Sequence, residues 1–417
     1  MKLCLLPASA SERDTRSRNT VPTPRWFGSG AKWTTLLLAA CSPSAASTPD
    51  GQTPGPGPGP VAGGPEQVAH QVVTVVDDLD NPWAVAWLPD GDMLVTERPG
   101  RLRIVRDGTL LRGAVEGVPA VRARGQGGLL DVAPHPDFET NRLLYLSFAA
   151  QHEDGGSSTV VVRGRFENDA LTGVEEVWVA QSRGRDHFGS RLAFDADYLY
   201  ITAGDRQVSP RGGLAELSAH PAQDLSTHHG VVVRLHDDGR IPADNPFVGQ
   251  EGVLQDIYSY GHRNAQGMAF HPETGDLWLN EHGPQGGDEV NLILPGRNYG
   301  WPVVGYGVNY GSGSRIHVGS HRDGMEPPAH YWVPSIATSG LMIYTGDRFP
   351  EWRGSMFVGG LAGQQLARLT LDGHTVTDEE TLVRRMGRIR DVRQGPDGLI
   401  YLVFDRPGMV ARLEPGS

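Results

Sequence analysis

One phrase recurs six times along this chain: an apolar run, a turn built on Pro, Asp or Gly, and a second apolar run. It reads "PWAVAWLPDGDMLVTERPG", "GGLLDVAPHPDFETNRLLYLSF", "GSRLAFDADYLYITAGD", "QGMAFHPETGDLWLNEHG", "SGLMIYTGDRFPEWRGSMFVGG" and "RIRDVRQGPDGLIYLVFD". Alternation closed by turn residues is the signature of a hairpin, and from about residue 70 onward little of the chain has helical periodicity. Six hairpins over roughly 345 residues allow about 58 residues each, enough for a four-stranded unit with long connecting loops. The repeat therefore predicts an all-β chain: a six-bladed β-propeller with four-stranded antiparallel blades over residues 69–417. A pair of β-sandwiches is the other all-β reading, but it does not predict a hairpin repeat of this kind.

The first 68 residues fall outside the repeat. Residues 1–40 carry Lys2, Arg13, Arg16, Arg18, Arg25 and Lys32 against Glu12 and Asp14, and end in the apolar run "WTTLLLAAC", too short to cross a bilayer as a helix. Leu38, Ala39, Ala40 and Cys41 resemble the lipobox of bacterial lipoprotein signal peptides, whose Cys becomes the lipidated first residue of the mature chain. Residues 1–41 are expected to be a signal segment of this type. Residues 42–68, rich in Pro and Gly, are expected to be a disordered tether, too poor in large apolar groups to offset the entropy of folding. Together they predict an exported protein, periplasmic or at the cell surface, held to a membrane only through a lipid.

Composition then removes several chemistries. Losing residues 1–40 takes away six cationic and two acidic side chains, which moves the formal net charge from -12 to -16, and an acidic domain without a basic stripe argues against nucleic acid as partner. Both lysines lie in that segment, so Schiff-base and P-loop lysines are excluded from the mature chain. Cys41 would be its one cysteine, which excludes disulfides, Cys-ligated zinc, iron-sulfur clusters and attached haem. There is also no GxGxxG after a strand, no GxSxG elbow and no HExxH.

Three polar clusters stand at the entrance to a repeat: "GRDHFGSR", "GHRNAQG" and "GRIRDV". In a propeller these entrances converge on the central channel, which turns three turn-forming segments into one candidate site. His187 can act as a general base, and a nearby carboxylate can orient its ring. Spacing alone leaves it open whether His187 is a base or a turn histidine. Neighbours on an extended strand point to opposite faces, so Asp186 is no better placed than Asp205 of "TAGDR" to be that carboxylate. Arg263, Asn264 and Gln266, with Arg388 and Arg390, form an anion-recognition set; the two strand arginines face the same side and need an anion or a carboxylate such as Asp391 between them. The segment "NEHGPQGGDEV" sets Glu281, Asp288 and Glu289 around a Gly and Pro turn, oxygen donors that suit calcium, although an ordinary acidic turn has the same composition.

Taken together, "DHFGSRLAF", "YITAGDR", "LHDDGRIPADNPF", "YGHRNAQGMAFHPETGDLW", "EHGPQGGDEVNLI", "NYGWPVVGYGVNY" and "RIRDVRQGPDG" resemble the soluble sugar dehydrogenases that depend on pyrroloquinoline quinone (PQQ), their aldose sugar dehydrogenase branch more than their glucose dehydrogenase branch. The resemblance implies a six-bladed propeller holding PQQ, a tricarboxylate o-quinone, across the channel, and oxidation of an aldose at C1 to the lactone. His187 matches the family's base; Asp186 and Asp205 match acidic positions that support it. Gln126, Arg263, Asn264, Tyr310, Arg388 and Arg390 match cofactor contacts, and Gln266 stands in the same motif. The carbonyls of Gly283 and Pro284 match ligands of a calcium ion beside the cofactor, and Glu289 and Tyr299 match a further calcium site. The electrons would pass to an external acceptor, a quinone or a cytochrome.

The chain departs from the glucose dehydrogenase branch at two positions. Where that branch has a Lys reaching the cofactor, "GGLAGQQ" has Ala362, which leaves the backbone of Gly360 and Leu361 to approach PQQ. The aromatic that stacks on glucose there falls at Val333, beside Trp332, which implies a looser sugar site and broad aldose specificity. Two readings of another kind remain: a calcium-dependent propeller lactonase, which would ring one axial calcium with carboxylates and amides, and a sugar-binding propeller without catalysis.

Overall fold

The computed structural model describes residues 68–416 apart from Asp154. The segments read as signal and tether lie outside the described residues, save for Val68. Within the described part, 24 strands form six four-stranded antiparallel sheets arranged as the blades of a propeller. Each quoted hairpin is the inner pair of one blade, and the six innermost strands are Pro82–Trp87, Leu129–Pro134, Leu192–Phe194, Ala265–Phe270, Thr338–Ile343 and Arg388–Gln394. The sixth blade is completed by the first described strand, His70–Val76, which pairs antiparallel with Met409–Pro415.

The core is a ring of wedges rather than a single centre. One apolar cluster fills the gap between the first and second blades around Leu94, Leu129 and Leu146, another that between the second and third around Tyr145, Ile201 and Val233. Others join the third to the fourth around Val232 and Leu279 and the fourth to the fifth around Trp278 and Val358. The largest joins the fifth, sixth and first blades around Trp352, Phe357 and Phe404. A strand sandwiched on both faces has every side chain buried, and the inner strand Thr338–Ile343 is of that kind, whereas Thr375–Arg384 at the rim of the same blade buries Val383 alone.

Five of the six inner strands lose register with their neighbour near their first residues, at Pro82/Ala84, Leu129/Val132, Ala265/Gly267, Ser339/Leu341 and Arg388/Ile389. Bulges bend a strand and re-aim its side chains. Here they lie at one mouth of the channel. Gly340 sits in such a bulge at φ +29°, and a Cβ there would come within 2.5 Å of the Asp391 backbone, so the fifth and sixth inner strands approach as closely as they do only because this residue has no side chain.

Candidate functional site

Every blade contributes to a cavity of about 250 Å³ at that mouth: Trp83, Leu130, Gly189, Gln266, Ala337 and Arg388 come from the six inner strands or the turns just before them. Its polar lining is dominated by Arg98, Arg388, Arg390 and Arg406, with the carboxylate of Asp405 among them. Arg388 Nε is 3.1 Å from Asp405 Oδ1, and Arg390 Nη2 is 3.5 Å from Oδ2. The paired strand arginines thus share Asp405 rather than Asp391. Asp391 belongs to a buried quartet below: Arg191 contacts Asp131 at 3.2 Å and Asp391 at 3.1 Å, and Arg393 closes the ring at 3.4 and 3.0 Å. Arg191 also lies 4.2 Å from the centre of the Trp83 ring.

Gln266 Oε1 accepts from Arg390 Nη1 at 2.9 Å, and its Nε2 donates to Asn264 Oδ1 at 3.1 Å. Asn264 Oδ1 also accepts from Gly189 N at 3.2 Å, which ties the turn before the third inner strand to the fourth blade. Three buried polar atoms around this cavity, Arg390 Nε, Asn264 Nδ2 and His282 Nε2, have no hydrogen-bond partner. Burial brings the Arg390 guanidinium down to about 10 against the opposing pull of Asp405, and it holds His282 well below the usual imidazole range, helped by Arg390 and Arg263.

His187 stands where this cavity meets a second one. Phe188 and Gly189 line the axial cavity, while His187 lines a side pocket of about 160 Å³ with Asp205, Arg263, Pro284, Trp301 and Tyr310. The backbone of His187 is left-handed at φ 49°, an uncommon state for a non-glycine residue, and its N–H donates to Gln126 Oε1 at 3.1 Å while its carbonyl accepts from Arg206 Nη1 at 2.7 Å. Nδ1 lies 2.6 Å from Asp205 Oδ1, and Trp301 Nε1 donates to Asp205 Oδ2 at 2.8 Å. With a carboxylate on Nδ1, that nitrogen carries the proton and Nε2 is left as the free base. Burial lowers the His187 pKa, outweighing the attraction of Asp205, and Arg263 and Arg206 lower it further. Burial opposes the Asp205 charge, but His187 and Arg263 outweigh it and draw that pKa below the ordinary value.

Asp186 does not touch the imidazole. Its Oδ1 accepts from the backbone N of Gln126 at 2.6 Å and fixes the turn beneath.

A third, small pocket of about 20 Å³ is walled by Glu281, Gly283, Pro284, Glu289 and Tyr299. Glu281 and Glu289 are direct cross-strand partners and share the Asn291 amide, at 3.1 and 3.3 Å. Burial, then Glu281 and Asp288, push the Glu289 pKa well up. The Gly283 carbonyl accepts from Arg263 Nη1 at 2.7 Å and the Pro284 carbonyl from Tyr310 OH at 3.0 Å. The Tyr299 hydroxyl is used within its own loop, donating to Leu292 O at 2.5 Å and accepting from Leu294 N at 2.9 Å, so what remains for a cation is its main-chain carbonyl.

The structure thus brings Gln126, Gln266, Leu361, Arg388 and Arg390 to the axial cavity, with Asn264 bonded to Gln266 just behind it, and Arg263 and Tyr310 to the side pocket beside His187. Gly360 and Ala362 are not on the cavity wall; Ala362 is exposed, and the N–H groups of Leu361 and Ala362 are spent on the carbonyls of Ala337 and Ile336, both at 2.9 Å. Trp332 turns away to donate to Glu379 at 2.8 Å, and Val333 is 61% exposed and lines none of these three cavities. Arg98, Asp405, Arg406, His282 and Trp301 also line these cavities, and no local sequence motif singles them out. Asp405 and Arg406 end the sixth hairpin, and its register alone sets Arg406 opposite Arg388.

Residues 79–412 match the model of the family described as Glucose / Sorbosone dehydrogenase. The aldose sugar dehydrogenase YliI of Escherichia coli (strain K12) is 42% identical over 354 residues, 82% of this chain and 92% of the relative. The quinoprotein glucose dehydrogenase B of Acinetobacter calcoaceticus is 30% identical over 416 aligned residues, covering 81% of this chain and 86% of the relative. The solved PQQ-bound aldose sugar dehydrogenase of Streptomyces coelicolor is 28% identical and superposes with a TM-score of 0.69 over 84% of this chain and 99% of that one.

Proposed function

This chain belongs to the Glucose / Sorbosone dehydrogenase family, and from that premise we propose that it oxidises aldose sugars at C1 to the lactone, with PQQ as hydride acceptor and calcium beside it. One observation carries the reading: an imidazole whose Nδ1 is held by a buried carboxylate and whose Nε2 is free stands at the junction of a side pocket and a polycationic cavity. The unpartnered Arg390 Nε, Asn264 Nδ2 and His282 Nε2, with the arginines around them, suit a planar polyanion such as the tricarboxylate PQQ. Two carboxylates and turn carbonyls around a space of about 20 Å³ are hard oxygen donors of the kind calcium takes, and a divalent cation would offset the burial and the Glu281 repulsion that raise the Glu289 pKa.

His187 Nε2 takes the proton of the sugar O1 hydroxyl, and Asp205 stabilises the imidazolium so formed. Arg263 and Trp301 wall the pocket in which the sugar lies and limit the water beside the base. When bound, PQQ supplies an o-quinone able to take the C1 hydride with its two electrons, which then leave to an external acceptor, a quinone or a cytochrome. The exposed Tyr310 leaves the sugar pocket open on one side, in keeping with broad aldose specificity. The lipobox-like "LAAC" supports export and a lipid anchor at Cys41; mass spectrometry of the mature N-terminus tests it.

The activity is tested by reconstituting the purified protein with PQQ and calcium and following reduction of an artificial acceptor over a panel of aldoses. Reduction that requires both additions is expected. No reduction with any aldose sinks the proposal, and lactone hydrolysis without PQQ would replace it with a lactonase.

A further inference from the structure

Four guanidinium groups and one carboxylate line the axial cavity, which leaves three net positive charges facing a space of about 250 Å³. Arg388 and Arg406 are direct cross-strand partners, and like charges in that position repel. Asp405 answers Arg388 and Arg390 at 3.1 and 3.5 Å, and a single carboxylate goes no further. The side chain of Arg406 is exposed and has no ion pair or hydrogen bond among the described residues. Arg98 donates through Nε and Nη2 to the carbonyls of Gly125 and Gly127, and its Nη1 has no acceptor among them. Such a cluster favours an anion within it, and a neutral aldose offers none.

We propose that Arg98 and Arg406 complete, with Arg388 and Arg390, a seat for the carboxylates of the cofactor, and that Asp405 is a positioning residue that holds the two strand arginines apart until that anion arrives. This rests on the dehydrogenase reading above and adds two binding residues and one positioning residue to it. A tricarboxylate balances the three net charges. The cationic side of the site is then supplied by the first and sixth blades, away from the exposed Ala362 on the fifth.

The test is PQQ binding without turnover, followed by quenching of tryptophan fluorescence in calcium buffer. Arg406→Ala removes no bond within the protein, so its fold is undisturbed; Arg98→Lys keeps a donor for the Gly125 and Gly127 carbonyls. Each is expected to weaken PQQ binding about tenfold and to flatten its salt dependence, while the trimethyl ester of PQQ binds wild type and variants alike. Asp405→Asn is expected to melt lower than wild type alone and to gain more on adding PQQ, with Asp405→Glu restoring the wild-type shift. If wild type binds PQQ and both arginine variants bind within twofold of it, the seat is refuted and the dehydrogenase reading stands. If wild type binds no PQQ, both fall. If Arg406→Ala spares PQQ and instead loses turnover of glucose 6-phosphate but not glucose, the cluster serves a substrate phosphate and the proposal is overturned. An unchanged shift in Asp405→Asn removes the positioning role.

Discussion

Replacing Asp205 by Asn separates the two carboxylates that the sequence left equivalent. Asp205 Oδ1 lies 2.6 Å from His187 Nδ1, and the pair becomes an ion pair once Nε2 takes a proton. Unit charges about 4 Å apart at an effective dielectric of about 20 attract by roughly 4 kcal/mol. Hydrogen bonds to charged groups contribute about 1.5–3 kcal/mol in mutational series. The lower range applies here, because Arg263 and Arg206 oppose the imidazolium. A loss of about 2–3 kcal/mol from the transition state lowers kcat about 30- to 150-fold. KM and PQQ binding should change little. Asn also has one oxygen for three facing donors, His187 Nδ1, Gln207 N and Trp301 Nε1. One donor is left unpaired, so the melting temperature falls by the equivalent of about 1–3 kcal/mol. Dye reduction at saturating PQQ and calcium, with the sugar protonated or deuterated at C1, reads the chemical step, and the acid limb of kcat should move to lower pH once the group that raises the His187 pKa is gone. A kcat within threefold of wild type, or an equal loss in Asp186→Asn, would show that the carboxylate has been misassigned.

Acid should weaken the fold as well as the base. Burial holds His187 and His282 below the ordinary 6.5, so their stability contribution is full above that value and is lost as pH falls through the folded pKa. Urea midpoints should be flat above neutrality and drop by pH 5.5, and a midpoint that rises on acidification contradicts this. Glu289→Gln should melt at or above wild type in chelator, since it removes the repulsion with Glu281, and should lose the upward shift that calcium gives wild type; an equal calcium shift in both places the ion elsewhere. Arg191→Met leaves the buried Asp131 and Asp391 with Arg393 as their one remaining cation and should cost about 3–5 kcal/mol in a denaturant titration, whereas Arg240→Ala, which breaks an exposed pair with Asp238, should leave the midpoint where it was.

The six hairpins were readable because a blade repeats a local pattern: alternation, a turn at Pro, Asp or Gly, alternation again. The site was readable where its residues open a repeat, as Gln266, Arg388 and Arg390 do. Other parts depend on distances that no local pattern encodes. Asp205 rather than Asp186 holds His187 because the residue before a left-handed turn points down to Gln126, while the end of the next strand returns to the imidazole. Trp301 lies 96 residues from Asp205 and meets it only through loop packing. Asp391 is nearer in sequence to the arginines than Asp405, yet an adjacent strand residue points to the opposite face, so Asp391 joins the buried quartet and Asp405 meets the arginines.

The strand His70–Val76 finishes the last blade, and Gly416 N donates to Ala69 O at 2.8 Å, so the two ends of the propeller leave the fold side by side. The ring is therefore joined by pairing rather than by covalent continuity, and its seam is one position among six. Joining residues 69 and 416 through a short linker and reopening the chain in an exposed loop between other blades should give a permuted propeller with the same axial cavity. The last blade also cannot form until Met409–Pro415 has been made, which obliges the His70–Val76 segment to wait through the synthesis of five blades before it has a partner.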